Sequence, residues 1–269
     1  MSATLAVIGF GSMGSAIVRG GIGAGVIDAR AVLVVDPDEA RRSEAAALGC
    51  RTLPAVRGEM EAEQILLAVK PQKWDEAALQ IGRLARPAIV ISIMAGVGSV
   101  RIRESLREHA RVVRVMPNTP CRLRAGVSAM ALGAGAAAGD EQFARRLLES
   151  LGRVVEVDES MLNAVTALSG SGPAYVFLLA EAMEQAGEQM GLDRRTARIL
   201  AYHTILGSGR LLTECDEVVA DSLRAAVTSP GGTTAAALEV LFERELPQIV
   251  AEAIIAARDR GEELGNGKT

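Results

Sequence analysis

Short apolar runs rich in branched residues alternate with amphipathic stretches through the first half of the chain, and the alternation stops near Asp158. Runs at residues 5–8, 32–35, 65–69, 89–93, 112–116, 127–132 and 154–157 predict strands. Helical spacing predicts helices between several of them, over residues 14–21, 39–48, 74–84, 100–108 and 141–150. Nearly continuous apolar strands separated by helices call for a sheet covered on both faces. The expected class is therefore α/β, with a doubly wound Rossmann sheet over residues 1–158.

Beyond Asp158 only helical patterns remain, at 160–168, 174–190, 194–212, 218–227, 233–242 and 247–264. They predict an all-helical C-terminal domain, residues 159–269. In the second of these, Val176, Leu179, Ala180, Met183 and Ala186 share one face, while Glu181, Glu184 and Glu188 take the other. That pattern predicts a helix with one buried side. Residues 160–180 carry no charge, but Ser169-Gly170-Ser171-Gly172-Pro173 would break a membrane span, so the stretch reads as protein interior.

Composition narrows the class. The chain has 269 residues, 49% of them hydrophobic, enough for two cored domains and too apolar for disorder. A net charge of −4 argues against an electrostatic nucleic-acid binder. Only Lys70, Lys73 and Lys268 are lysines, so no lysine-dependent mechanism can reside between residues 74 and 267. Cys50, Cys121 and Cys215 form no C-x-x-C pair and suit unpaired thiols in a reducing cytoplasm, with neither disulfide nor zinc expected. The first strand follows directly on Met1 without a basic stretch, so no signal peptide is expected.

The sharpest local signal is Gly9-Phe10-Gly11-Ser12-Met13-Gly14, placed after a strand and opening a helix. In that setting Gly9 permits a tight turn, Gly11 leaves room for a pyrophosphate, and Gly14 lets helix and strand pack closely. The helix start then offers free N–H groups to phosphate. Asp36 ends the second strand, 22 residues after Gly14, where an acid would bind the adenine ribose of NAD(H). Arg41 and Arg42 follow one turn later and could receive a 2′-phosphate, so NADPH and NADH both stay open. Asp36 could instead cap the helix that begins near Pro37.

Acid–base candidates are scarce. The two histidines, His109 and His203, sit at a helix end before a strand and within a helix, and both read as structural. Thr228-Ser229-Pro230-Gly231-Gly232-Thr233-Thr234 joins two helical patterns and suits a carboxylate, through hydroxyls and a helix start. The plain alternative is an ordinary capped turn.

At these residues the chain resembles pyrroline-5-carboxylate reductases. The resemblance covers most of the chain through six ordered segments. They are the Gly9–Gly14 turn, Ala68-Val69-Lys70-Pro71, Ser92 to Val97, Val115 to Pro120, Leu168 to Tyr175 and Val227 to Thr234. It implies a Rossmann domain followed by a helical dimerisation domain, and NAD(P)H-dependent reduction of 1-pyrroline-5-carboxylate to L-proline, the last step of proline biosynthesis. It places nicotinamide near Ala68, Val69, Lys70, Pro71 and the Ala95-Gly96 turn, with Asn118 close by. It puts the substrate carboxylate on Ser229, Gly231, Gly232, Thr233 and Thr234, and brings Thr234 to the ring nitrogen as the catalytic contact. It implies a homodimer as the minimal unit, with a decamer of five dimers as a larger form, and no metal, membrane or nucleic acid.

An imine arrives protonated, which agrees with the scarcity of histidine and lysine. The chain departs from the family's pattern at three places: Ala55 stands in the region of an asparagine, Phe242 in place of a polar residue, and Arg124-Ala125-Gly126 in place of a Gly-Glu-Gly segment. The alternatives are a reductase of another cyclic imino acid and a non-catalytic NAD(P)-sensing module. One ring methylene changes pocket binding by only ~1–3 kcal/mol, so ring size is not legible here.

Overall fold

The computed structural model describes residues 3–56, 61–82, 87–214 and 219–265. Among these described residues, eight strands form one sheet: β1 Ala3–Ile8, β2 Val32–Val35, β3 Arg51–Leu53, β4 Ala62–Leu67, β5 Ala88–Ser92, β6 Ala110–Pro117, β7 Gly126–Leu132 and β8 Gly152–Glu156. Their order is β3-β2-β1-β4-β5-β6-β7-β8, parallel throughout except for the antiparallel β6–β7 pair. Five helices accompany the sheet: α1 Ser12–Gly23, α2 Glu39–Ala47, α3 Trp74–Ile81, α4 Ser99–Ser105 and α5 Gln142–Glu149.

The pleat explains why these strands are apolar on both sides. Ala6 and Ile8 join Trp74, Ile81 and Ile102 in one core, under α3 and α4. Leu5 and Val7 join Ile17, Ala45 and Leu147 in another, under α1, α2 and α5. Alternate residues of one strand thus feed two cores, as expected of a doubly wound sheet.

One strand escaped the sequence pattern. β3 is three residues long, starts on Arg51 and lies at the sheet edge beside β2. Three residues are too few to establish a period of two.

By compactness, one unit runs through Ser171 and takes the chain back from Ala257, and a second comprises Gly172–Ala256. The sequence division at Asp158 differs because α6 Leu162–Val165 and the following turn, Thr166–Gly170, stay with the sheet. Leu162 is buried there against Met116, Ala129 and Ala131.

The helical elements that follow are α7 Gly172–Gln189, α8 Arg194–Glu214, α9 Ala220–Ala226, α10 Thr233–Glu243 and α11 Leu246–Gly265. α7 and α8 pack closely because Gly187 meets Ala197, where an added Cβ would come within 2.9 Å. The buried face of α7 is not the one the apolar spacing predicts. Ala180, Glu184 and Gly187 are buried, while Val176 and Leu179 are exposed. Arg198 donates to Glu184 at 2.9 Å, and Arg194 and Tyr202 also reach it, which lets a carboxylate take the inner position. Arg198 holds the Glu184 carboxyl below its ordinary pKa. The apolar side faces outward in the single chain, and α9, α10 and α11 bury no side chain within it.

Candidate active site

β1 ends where the strand order reverses, between β2 and β4, and this switch point is where open α/β sheets bind ligands. The turn there needs its glycines for different reasons. Gly9 adopts φ +93°, and a Cβ would lie 2.8 Å from the Ala68 carbonyl oxygen. A Cβ on Gly14 would lie 2.6 Å from the Gly9 carbonyl oxygen, so α1 can approach only without one. Gly11 is different: its nearest neighbour would be the Arg41 guanidinium at 3.7 Å, across open space. Gly11 also caps α1, and no side-chain acceptor closes the start of that helix.

Gly9, Gly11, Ser12, Met13, Asp36, Ala68, Val69 and Lys70 line a single cleft of about 700 Å³. Phe10 and Gly14 lie beneath it, with the Phe10 ring buried in the core and Gly14 packed on Gly9. The cleft also takes in Arg41, Pro54, Lys73, Glu76, Gln80 and Ile93. Of these, Arg41 was visible in the sequence. The α3 residues were not, because their spacing signals only a helix.

Asp36 is almost fully buried. One carboxylate oxygen accepts the Phe10 N–H at 2.6 Å and the other the Asp38 N–H at 2.9 Å. It does not cap α2; that role falls to Asp38, which accepts from Ala40 and Arg41. Arg42 is turned onto the carbonyls of Asp36 and Pro37 at 2.9 and 2.7 Å. Arg41 reaches Asp36 at 3.6 Å while its side chain stays half exposed at the cleft.

The remaining expected cofactor residues lie outside this cleft's lining. Pro71 opens a short turn, Pro71–Lys73, that leads into α3. Gly96 takes φ +72° in the turn after β5, beside Ala95. Asn118 directly follows β6 and accepts the Val127 N–H at 3.0 Å, tying the end of β6 to the start of β7.

In the helical unit, Gly231 has φ +68° and Gly232 caps α10 without a side-chain acceptor. A Cβ on Gly232 would overlap the Ser229 hydroxyl, so the glycine brings that hydroxyl to the helix start. Thr233 and Thr234 open α10, and their N–H groups precede its first internal bond, from Ala236 to Gly232. The Thr228 hydroxyl is bound to the Arg224 carbonyl at 2.6 Å and serves the preceding helix. Arg224 stacks 5.4 Å above the Phe242 ring, which gives that departure from the family's pattern a packing role. His109 precedes β6, at the end of the sheet away from the cleft, and His203 is exposed on α8. Cys50 and Cys121 are unpaired and buried, and burial raises the Cys50 pKa, which keeps that thiol protonated.

Residues 159–264 match the family model for pyrroline-5-carboxylate reductase dimerisation. Residues 4–96 match one described as NADP oxidoreductase, coenzyme F420-dependent. The chain is 38% identical to a pyrroline-5-carboxylate reductase of Haemophilus influenzae over 97% of each chain. A solved pyrroline-5-carboxylate reductase from Coxiella burnetii superposes with a TM-score of 0.87 at 34% identity, covering 98% of this chain and 99% of that one. The Plasmodium falciparum pyrroline carboxylate reductase, solved with NADP bound, gives a TM-score of 0.83 at 27% identity, covering 98% of each. With cradle, sheet order and helical turn in place, the chain belongs to the pyrroline-5-carboxylate reductase family and is an NAD(P)H-dependent oxidoreductase.

Proposed function

We propose how the chain divides the work of its reaction, the NAD(P)H-dependent reduction of 1-pyrroline-5-carboxylate to L-proline. The Gly9–Gly14 turn and the start of α1 take the pyrophosphate, and Ala68 to Pro71 with the Ala95-Gly96 turn and Asn118 surround the nicotinamide. When bound, the reduced nicotinamide supplies a hydride to the imine carbon. Ser229 and the N–H groups from Gly231 to Thr234 hold the substrate carboxylate, and the Thr234 hydroxyl faces the ring nitrogen that keeps the proton. Because a cyclic imine is basic enough to arrive protonated, orientation and one hydroxyl suffice in place of a strong acid. The observation that carries this reading is the paired design of two glycine-capped helix starts, at Gly11 and Gly232, neither closed by a side chain.

Arg41 favours NADPH, because its guanidinium is half exposed on the cleft while the Asp36 carboxylate is engaged by backbone N–H groups. The protein is a homo-oligomer, as the dimerisation match implies. The finer assembly we propose is a homodimer as minimal unit within a decamer of five dimers, in the cytoplasm, without membrane or nucleic-acid partners. Residues 159–189 are apolar enough to cross a bilayer by composition alone, yet they fall within the dimerisation match, which supports a protein partner for that surface.

The deciding experiment follows reduced-nicotinamide absorbance with pyrroline-5-carboxylate and each cofactor. Substrate-dependent oxidation with L-proline as product is expected; absence of turnover with both cofactors overturns the reading.

A further inference from the structure

The loop from β5 to α4 carries the Ala95-Gly96 turn, and both of its ends are tied to one ion pair. Arg114 lies on β6 and is only 6% exposed. Its Nη2 donates to the Met94 carbonyl oxygen at 3.0 Å, and its Nη1 lies 3.4 Å from the Glu159 carboxylate. Glu159 follows β8 and accepts the Ser99 backbone N–H at 2.8 Å and the Ser99 hydroxyl at 2.5 Å. The Ser99 oxygen in turn accepts the Ala134 N–H at 2.9 Å. Arg114 therefore grips the loop where it leaves the sheet, and Glu159 grips it where α4 begins.

Stability alone does not explain such a pair. Burial works against the Arg114 charge, with Glu159 opposing that effect. Replacing a buried pair by apolar groups of similar volume is often neutral or stabilising. What the pair does achieve is geometric: it fixes a short loop whose Gly96 holds a left-handed conformation. The last turn of α11 backs the same loop, since a Cβ on Gly265 would lie 3.0 Å from the Gly96 carbonyl oxygen.

We propose that Arg114 and Glu159 are positioning residues for hydride transfer, holding the Met94-to-Ser99 loop so that the Ala95-Gly96 turn seats the nicotinamide ring. This rests on the placement of nicotinamide proposed above. Neither side chain touches the reacting atoms; both act through the loop.

The test uses the full-length enzyme and compares Arg114→Met, Arg114→Lys and Glu159→Gln with wild type. Affinity is measured by calorimetry for NADPH and for 2′-phospho-ADP-ribose, which has the same phosphates and adenosine without the nicotinamide. Arg114→Met is expected to lower kcat by about 10- to 100-fold, the scale of a small misplacement of reacting groups. It should weaken NADPH severalfold and leave 2′-phospho-ADP-ribose unchanged. Arg114→Lys, which keeps a donor for the Met94 carbonyl, recovers part of kcat. Equal weakening of both ligands, or no change in kcat, overturns the proposal. If Arg114→Met does not fold, the near-isosteric Glu159→Gln carries the same comparison. A wild type inactive on pyrroline-5-carboxylate would overturn the functional reading, while the two affinities would still judge the clamp.

Discussion

The carboxylate of Asp36 accepts the backbone N–H of Phe10 at 2.6 Å, so the end of β2 holds the glycine turn that follows β1. A buried charge-assisted hydrogen bond of this kind is worth about 1.5–3 kcal/mol. Asp36→Asn should therefore lower thermal stability and weaken NADH and NADPH alike, leaving their ratio within about twofold. Calorimetric titration of both cofactors decides this. A ratio shifted strongly toward NADPH would assign Asp36 to the ribose instead.

Arg41 is the neighbour that should discriminate. Its partner Arg42 is held by two backbone carbonyls, whereas Arg41 stays half exposed on the cleft. Arg41→Ala is expected to raise the KM for NADPH about tenfold or more, the effect of losing a charged hydrogen bond, with little change for NADH. Equal KM changes for the two cofactors would remove Arg41 from the 2′-phosphate.

Thr234→Ala should reduce kcat by about 10-fold or more while the dissociation constant for NADPH stays the same. Stopped-flow turnover and direct nucleotide titration separate the two quantities. Wild-type turnover in this variant would take the hydroxyl away from the reacting ring.

The outward apolar face of the helical unit predicts that assembly and activity are lost together. Phe177 and Leu206 are both exposed in the single chain. Phe177→Glu should shift the light-scattering mass toward a monomer and abolish turnover. A fully active monomer would contradict the homodimer as the minimal unit.

Glu184 supplies a pH-dependent prediction. Its carboxyl is held below the ordinary value by Arg198, so it binds fewer protons folded than unfolded. The stabilisation is then present above the ordinary carboxylate range, near pH 4, and is lost as pH falls through the lowered value. Glu184→Gln should lower the melting temperature at pH 7, and the gap to wild type should close toward pH 3. An equal gap at both pH values would show that the charge contributes nothing.

The sequence pattern conveyed the sheet well because two-sided burial leaves long apolar runs, as at residues 5–8 and 32–35. It missed β3, which is too short to show alternation and sits at an edge where polar residues are tolerated. The Gly9–Gly14 turn was legible because Gly9 and Gly14 each answer a local steric need, and part of the expected cofactor set lines the cleft beside it. The α7 face was misread because helical spacing within one segment does not show that Arg194, Arg198 and Tyr202 of α8 let Glu184 take the inner position. Arg114 and Glu159 left no trace, since 45 residues separate them and only the folded sheet brings them together.

Gly265, on the last described turn of α11, lies against the backbone of Gly96. The sheet-bearing unit is therefore discontinuous along the chain: its piece from Ala257 onward is translated only after the whole helical unit. A stop codon placed at the apparent domain boundary would deliver a sheet without the backing of its β5–α4 loop. A faithful minimal version needs residues 257–265 grafted back through a linker, and synthesis must pass Gly265 before that loop acquires its support.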